Sequence, residues 1–250
     1  MNKVHFKNKD GVKLVGILHK PRKNTNSCII LCHGLRADKD EGGRFIALAR
    51  RLVKESFAVF RFDFSGRGES SGKQQDVSVI KDLECINAAH VFLKQQGYRN
   101  FGILASSFAG ASVPFFLSKH LCNTQAVTFW YPMLDLSQWL KEWRPGGQRR
   151  KELLRKGYFM RKGFKMGNRI VAETTKLKPW KELEKVEIPM LIVHGDNDQQ
   201  VPYKNSVRYS KKFGIKLVTV HGGDHGFHNK KDRVRAINAT VMFFSKSMKQ

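Results

Sequence analysis

The sequence lacks any long uncharged apolar run. No apolar stretch approaches the roughly 20 residues that a helix needs to span a bilayer. The first residues, M-N-K-V-H-F-K-N-K-D-G, also lack the apolar segment and small-residue cleavage site of a secretory signal. We therefore expect a soluble protein that is not exported by that route. With 250 residues, the chain is long enough for one large core, and a single domain is the starting expectation.

Cysteine is scarce, and no C-x-x-C pair is present. The four cysteines are Cys28, Cys32, Cys85 and Cys122. Cys28 and Cys32 share one apolar, strand-like run, in which residues four apart along an extended chain are too distant to form a disulfide. Reduced, buried, structural cysteines are expected, which suits a cytoplasmic location.

Acidic residues are also few. The chain has 46 Lys and Arg against 21 Asp and Glu, a formal net charge of +25, and the excess is spread along its length. Such a charge is compatible with nucleic acid, an anionic membrane surface or an acidic protein partner, and equally with a merely basic surface. No zinc-finger spacing or RNA-binding signature is present, so we predict no specific nucleic-acid partner. An acidic partner, an anionic surface and a homodimer stay open.

Short apolar runs alternate with longer amphipathic segments. Residues 3–7 and 12–19 predict an opening hairpin across the N-K-D-G turn. Six further strands are predicted at S-C-I-I-L-C-H, F-A-V-F-R-F-D-F, F-G-I-L-A-S, A-V-T-F-W-Y, M-L-I-V-H and K-L-V-T-V-H. Helices are predicted at 42–55, 77–96, 108–120, 203–212 and 230–249. This alternation indicates an α/β fold, a mainly parallel sheet with helices on both faces, whose ligands bind at the carboxyl ends of the strands.

One segment, 133–188, interrupts the alternation. It is too long for an ordinary connection inside a compact domain. We therefore predict a core formed by 1–132 and 189–250, with 133–188 as an inserted cap subdomain. Within the cap, 136–143 is expected to be helical and 157–172 to form a small hairpin around Gly163 or Gly167. The aromatic residues of the cap either line a pocket mouth or pack onto the sheet: Trp139, Trp143, Tyr158, Phe159, Phe164 and Trp180.

Two adjacent serines lie in G-I-L-A-S-S-F-A-G-A-S, where a predicted strand passes into a predicted helix. A nucleophilic serine on such a sharp turn leaves room only for small residues two positions to either side. Ser107 is flanked in this way by Ala105 and Ala109, whereas Ser106 would be flanked by leucine and phenylalanine. Ser107 is the candidate nucleophile, although both outer glycines of the G-x-S-x-G pattern are alanines here, and close strand-helix packing explains the motif equally well.

A serine hydroxyl reacts only with the help of a base. Among nine histidines, His225 lies on the loop after the last strand, in V-H-G-G-D-H-G-F-H, between His221 at the strand end and His228 at the start of the final helix. His225 is therefore the best base. The same cluster offers ligand types that zinc accepts, but no fixed spacing or further ligand set supports a metal site.

The acid that orients the histidine should follow an earlier strand. Asp196 and Asp198 follow M-L-I-V-H-G, and Asp135 follows A-V-T-F-W-Y, so three candidates stay open. A tetrahedral oxyanion also needs backbone N–H donors. The residue after the nucleophile, Phe108, is one candidate, and Leu35, on the C-H-G-L-R loop after the first parallel strand, is the other.

Five motifs in this order, C-H-G-L, D-F-S-G-R-G-E-S-S-G, A-S-S-F-A-G, H-G-D-N-D-Q-Q-V-P and D-H-G-F, resemble the α/β-hydrolase superfamily over essentially the whole chain. Within it, the chain resembles bacterial feruloyl and cinnamoyl esterases and monoacylglycerol-lipase-like carboxylesterases. The resemblance implies that Ser107 is the nucleophile, His225 the general base and Asp198 the orienting acid. It also implies that Leu35 and Phe108 donate to the oxyanion, and that no metal or organic cofactor is required.

The function that follows is hydrolysis of short-acyl or aromatic, hydroxycinnamoyl-type esters through an acyl-enzyme intermediate. A thioesterase or acyl transferase acting on acyl-CoA or an acyl carrier protein is the alternative, because a basic surface suits both substrates. A third hypothesis is a non-catalytic binding protein on the same fold.

Overall fold

The computed structural model describes residues 1–119, 123–139 and 143–248. Ten strands are present in this part of the chain: β1 (Asn2–Lys7), β2 (Lys13–His19), β3 (Ser27–Cys32), β4 (Ala58–Phe62), β5 (Asn100–Ser106), β6 (Thr124–Trp130), β7 (Tyr158–Arg161), β8 (Phe164–Gly167), β9 (Met190–Gly195) and β10 (Lys216–Val220). Eight of them form one sheet in the order β1-β2-β4-β3-β5-β6-β9-β10, while β7 and β8 form a separate hairpin.

The pairing in the large sheet confirms the predicted fold class. Strands β1 and β2 form the opening antiparallel hairpin, and β2 pairs antiparallel with β4. Every other pair in the sheet, from β4–β3 to β9–β10, is parallel. The carboxyl ends of six strands therefore meet at one edge, where loops can bring together side chains that are distant in sequence.

Helices cover both faces of the sheet. Those described are α1 (Arg44–Lys54), α2 (Val79–Gln95), α3 (Ala109–Lys119), α4 (Gly147–Lys156), α5 (Asn168–Lys176), α6 (Pro179–Glu182), α7 (Tyr203–Phe213) and α8 (Lys230–Ser247). Ser78 caps α2 by accepting a hydrogen bond from the Lys81 N–H, and Asn229 caps α8 in the same way through Lys231. The predicted ends of α3 at 120 and of α8 at 249 lie outside the described residues.

Two apolar clusters fill the space between the sheet and its helices. Because side chains alternate along a strand, Ile29 and Leu31 of β3 enter one cluster while Cys28 and Ile30 enter the other. Glycine makes room where packing is tightest: a Cβ on Gly16 would lie 2.4 Å from Cζ of Phe60.

The cysteines fit this core. Cys28, Cys32 and Cys85 are free and buried, as predicted, and burial raises the pKa of the Cys85 thiol to about 12. Cys122 lies outside the described residues.

The segment between β6 and β9 holds the β7–β8 hairpin, whose turn residues Lys162 and Gly163 both have positive φ. This confirms the predicted hairpin at Gly163. The helix predicted over 136–143 is a 3-10 turn at Leu136–Trp139, and residues 140–142 lie outside the described part. The hairpin packs so closely on the 3-10 turn Gln74–Asp76 that a Cβ on Gly167 would lie 1.9 Å from the Gln75 carbonyl oxygen. The division of 133–188 from the core as a subdomain stays a prediction.

Within the described part of the chain, none of the helices combines the length and apolarity needed to cross a bilayer.

Candidate active site

Ser107 occupies the turn between β5 and α3 in the left-handed backbone region, with a φ of 51°. A non-glycine residue there is strained, and the surrounding backbone holds it in place. The Ser107 N–H donates to the Trp130 carbonyl at the end of β6 (2.9 Å), and the Ser107 carbonyl accepts from Gly110 (2.9 Å) and Met133 (3.0 Å). The elbow predicted from the small flanking residues is therefore formed with alanine at both flanks.

His225 lies beside the serine. Its Nε2 is 3.1 Å from the Ser107 Oγ, and its Nδ1 is 2.7 Å from Oδ2 of Asp198. Because an ionised carboxylate can only accept, Nδ1 carries the proton and donates it to Asp198. Nε2 is then free of a proton and accepts a hydrogen bond from the serine hydroxyl, which is the arrangement that a general base needs.

Asp198 is buried, and four hydrogen-bond donors surround its carboxylate. Oδ1 accepts from the backbone N–H groups of Gln200 (2.7 Å) and Val201 (2.8 Å), while Oδ2 accepts from His225 and from His194 Nε2 (3.1 Å). Burial alone would raise the pKa of this carboxyl, but the hydrogen bonds from the two histidines outweigh burial and hold the pKa well below its ordinary value. Asp198 is thus ionised at neutral pH.

The loops that carry the acid and the histidine meet backbone to backbone. The Asn197 N–H donates to the Gly223 carbonyl (3.1 Å), and a Cβ on Gly195 would lie 2.1 Å from that same oxygen. Glycine at 195 is therefore what lets the end of β9 approach the loop after β10, and this approach sets the distance between Asp198 and His225.

The other acids and histidines singled out in the sequence are paired elsewhere. Asp196 accepts from His221 Nδ1 (2.9 Å), Asp224 from His228 Nδ1 (2.8 Å), and Asp135 from Arg208 Nη2 (2.6 Å). No group of three or more His, Cys, Asp or Glu side chains suited to a metal ion occurs among the described residues.

Glu41 links the loop after β3 to the turn that holds the serine. This buried carboxylate accepts from the Gly34 N–H through Oε2 (3.0 Å) and from the Ser106 hydroxyl through Oε1 (3.1 Å). Burial raises its pKa, and donors including the Gly34 N–H and Arg44 counteract that rise. Ser106, which the steric argument rejected as nucleophile, is thus a fully buried donor to Glu41.

The residues predicted to bind the oxyanion flank the serine. Phe108 directly follows it, and Leu35 lines the same pocket. The preceding Gly34 comes so close that a Cβ there would lie 3.8 Å from the Ser107 Oγ. Their roles as donors stay predictions.

His33 and His194, each followed by a glycine at the end of a strand, have both ring nitrogens engaged. His33 contacts the Gly34 carbonyl through Nδ1 (2.8 Å) and accepts from the Phe64 N–H (3.1 Å). His194 Nε2 serves Asp198 and the Val201 carbonyl, and its Nδ1 lies 2.7 Å from the Ser206 hydroxyl. His194 therefore also orients the acid, a contact that its position at a strand end did not reveal.

A pocket of about 350 Å³ opens onto Ser107 and His225. Two tryptophans of the inserted segment, Trp139 and Trp143, line it with ring centroids 6.0 Å apart and are otherwise buried. Phe159 and Phe164 are buried as well but lie outside the described lining of this pocket. Of the two alternatives that the sequence left open for these aromatic residues, Trp139 and Trp143 line the pocket, and Phe159, which is fully buried, packs in the interior. Basic side chains, among them Arg44 and Arg161, also line the pocket, and no sequence motif pointed to them.

The comparisons with known proteins agree with this fold. The family model described as serine aminopeptidase, S33, matches residues 23–157, and the prolyl oligopeptidase family model matches residues 150–250. No curated protein sequence matches significantly.

Solved structures resemble the whole chain. The Butyrivibrio proteoclasticus protein Est1E with ferulic acid bound has a TM-score of 0.85 at 24% identity, covering 98% of this chain and 99% of that one. An esterase domain from a Rhodothermus marinus protein has a TM-score of 0.76 at 19% identity, covering 98% of both chains. A Pyrococcus furiosus esterase has a TM-score of 0.76 at 16% identity, covering 99% of this chain and 91% of that one. At such identities these structures establish the fold.

Proposed function

This chain belongs to the serine aminopeptidase S33 family of serine hydrolases, and on that premise we propose that it hydrolyses carboxylic esters through Ser107, His225 and Asp198. The observation that carries the proposal is the continuous hydrogen-bonded series from the Ser107 hydroxyl through His225 to the buried Asp198 carboxylate. No step requires a metal ion or an organic cofactor, and the partner is a small-molecule ester.

The reaction begins when the Ser107 Oγ attacks the ester carbonyl while His225 Nε2 accepts the hydroxyl proton. The oxyanion that forms is bound by the backbone N–H groups of Leu35 and Phe108. Asp198 stabilises the imidazolium and fixes its orientation. Collapse of the tetrahedral intermediate breaks the carbon–oxygen bond of the ester, and the imidazolium returns the proton to the departing alkoxide. An acyl-Ser107 ester remains.

Water completes the cycle. His225 takes a proton from the water molecule, whose oxygen attacks the acyl carbonyl. When the second tetrahedral intermediate collapses, the bond to the Ser107 Oγ breaks, the imidazolium returns its proton to that oxygen, and the carboxylic acid is released. The same base serves both halves of the reaction because Nδ1 keeps its proton throughout and donates it in a hydrogen bond to Asp198.

The charge of the pocket favours an ester over the amino-terminal peptide that the family description would suggest. An aminopeptidase must bind the free ammonium group of its substrate, which requires carboxylates. Glu41 is the one acidic side chain in the described lining of the pocket, and it already pairs with Arg44 at 3.4 Å. Basic side chains dominate the remainder, so an ammonium group would be repelled.

The inserted segment supplies one wall of the pocket, and we propose that 133–188 serves as the cap over the site. Trp139 and Trp143 from this segment line the pocket with their indole rings. Offset stacking of an indole ring on an aromatic ring of the substrate stabilises the pair by about 0.5–1.5 kcal/mol. Aromatic acyl groups, such as the hydroxycinnamoyl class, and short acyl chains are therefore the proposed acyl substrates.

Purified protein should hydrolyse p-nitrophenyl acetate, p-nitrophenyl butyrate and a methyl hydroxycinnamate. Ser107→Ala should lower kcat by roughly a thousandfold or more, because the nucleophile is lost. Ser112→Ala is the matched control, since this buried serine lies in α3, one turn beyond the elbow, and should retain full activity. Equal activity of the wild-type and Ser107→Ala proteins would refute the proposal.

A further inference from the structure

The pocket that contains Ser107 is lined mainly by positive charge. Its described lining includes four basic side chains, Arg36, Arg44, Arg161 and Lys162, against the single carboxylate of Glu41. Glu41 compensates Arg44 alone among them, at 3.4 Å. An excess of positive charge therefore lines the pocket that opens onto Ser107.

Arg44 is well enclosed, with 12% of its side-chain surface exposed. Its Nε is buried and has no hydrogen-bond acceptor among the described residues. The Glu41 Oε1 that Arg44 contacts would lie 3.7 Å from a Cβ on Gly34, and the Ser107 Oγ would lie 3.8 Å from that same point. A desolvated guanidinium with a donor to spare thus lines the same pocket as the reacting serine, and such a donor is costly to leave without an acceptor.

Arg36 and Arg161 reach the pocket from separate parts of the chain, the loop after β3 and the end of β7. Burial lowers the pKa of Arg161, and the nearby charge of Arg36 lowers it further. Neutral groups orient Arg36, namely the Lys162 carbonyl and the Gln200 side chain, both at 3.4 Å. Arg36 and Arg161 thus bring two guanidinium groups to the lining of one pocket, where both can donate to a bound anion.

The positive charge continues outward from the pocket. A neighbouring cavity of about 970 Å³ shares Arg36, Arg44 and Lys162 with it and adds Arg233. Asp38 is the one acidic side chain in the part of that lining which the structure describes. Basic side chains thus line both the pocket at Ser107 and the cavity beside it, and their combined charge raises the local concentration of anions.

We propose that this site selects esters or thioesters that carry an anionic group, a carboxylate or a phosphate, close to the carbonyl that is attacked, with Arg44 and Arg161 as the side chains that bind the anion. This inference rests on the proposed hydrolase function and specifies its substrate class. Guanidinium groups suit both anions, because a carboxylate and a phosphate can each accept two parallel N–H hydrogen bonds from one guanidinium.

Two matched substrate pairs test the inference and separate the two sources of charge. The first pair is mono-p-nitrophenyl succinate and its neutral methyl ester, and the second is 2-phosphoethyl butyrate and its neutral dimethyl phosphate ester, in which the phosphorus lies a few bonds from the attacked carbonyl. The readout is the ratio of kcat/KM for the anionic member to that for the neutral member. We expect a ratio well above one for at least one pair. We also expect it to fall with rising salt and to fall roughly tenfold in Arg44→Gln and in Arg161→Gln, as loss of one hydrogen bond to a charged group requires.

Arg155→Gln is the matched control. This exposed arginine of α4 lies in neither cavity lining and should leave the ratio unchanged. A preference in the first pair alone identifies a carboxylate, and one in the second pair alone identifies a phosphate. A ratio near one for both pairs that neither arginine variant changes would overturn the inference, while neutral-ester hydrolysis lost in Ser107→Ala would still uphold the proposed function.

A binding measurement covers the case in which no ester or thioester is hydrolysed, so that the proposed function itself fails. Calorimetric titration of the Ser107→Ala protein with monomethyl succinate and with adenosine 3′,5′-bisphosphate should then still show salt-sensitive binding that Arg44→Gln weakens. Absence of binding of both anions would overturn the anion site as well.

Discussion

Replacing Glu41 tests whether a carboxylate outside the triad positions the oxyanion loop. Glu41→Ala removes the acceptor of the buried Gly34 N–H, the acceptor of the Ser106 hydroxyl and the counter-charge of Arg44. Each hydrogen bond to a charged group contributes about 1.5–3 kcal/mol. Desolvation of the carboxylate, which raises its pKa, offsets part of that sum. We expect a net loss of about 2 kcal/mol in the free energy of unfolding, or about 4–8 °C in Tm for a chain of this size.

The catalytic effect of Glu41→Ala should exceed what the loss of stability explains. Removing an oxyanion donor outright costs about a hundredfold to a thousandfold in kcat. Here the donor at Leu35 remains but its loop is loosened, so we expect kcat for p-nitrophenyl butyrate to fall by roughly tenfold with a smaller change in KM. Assays are run well below the Tm of the variant, so that the fraction unfolded is negligible.

Two further variants complete this test. Glu41→Gln keeps a carbonyl oxygen for the Gly34 N–H and should recover part of the lost kcat. Glu184→Gln removes an exposed carboxylate paired with Lys212 and should change neither kcat nor Tm. If Glu41→Ala lowers Tm but leaves kcat within twofold of the wild type, the positioning role is refuted. An unchanged Tm would refute the energetic reasoning.

The remaining predictions concern pH and the contact between the two catalytic loops. Burial, and then the charge of Arg61, lower the pKa of His19 from 6.5 to about 4. Between pH 6.5 and 4 the unfolded chain therefore binds a proton at this histidine that the folded chain does not bind. Stability should fall as the pH falls through that window. His19→Gln, whose side-chain oxygen can accept from Arg61 Nε, should therefore lose less Tm between pH 7 and 5 than the wild type, and an equal loss in both would contradict the assignment. Gly195→Ala places a Cβ 2.1 Å from the Gly223 carbonyl oxygen and should cost about 1–3 kcal/mol of stability while lowering kcat by roughly tenfold or more, because the His225 loop moves away from Asp198. Gly146→Ala, at a glycine with open space around it, should change neither property, and a Gly195→Ala protein with full kcat would show that the two loops do not depend on that contact.

The sheet could be predicted from sequence because its strands are nearly continuous apolar runs separated by amphipathic helices. Ser107 and His225 were identified from local features, namely small flanking residues and a glycine-rich loop after the last strand. The acid could not be chosen that way, since Asp196 and Asp198 both follow β9. The choice depends on which carboxylate accepts from Gln200 and Val201 and so turns toward His225, a detail of loop geometry.

The side chains that shape the pocket were beyond sequence reasoning for a different reason. Glu41 lies in a loop without periodicity, and its carboxylate is directed inward by contacts with Gly34 on the preceding loop and with Ser106, which is distant in sequence. Arg44 and Arg161 are two among 46 basic residues, and only the folded chain distinguishes those that face Ser107 from those that face solvent.

The segment between β6 and β9 also limits how this protein can be re-engineered. β6 and β9 are adjacent and parallel, so the chain must return from the carboxyl end of one to the amino end of the other whatever else it does. Helix α6, which packs on α3, and the 3-10 turn Leu183–Lys185 make this return, whereas the β7–β8 hairpin and α4 do not take part in it. Deleting the whole segment would leave the two strands unconnected, but exchanging the hairpin alone would replace Arg161 and Lys162 while leaving the triad in place. An exchange of these ten residues would therefore change the part of the proposed charge preference that depends on Arg161 and leave the part that depends on Arg44 in α1.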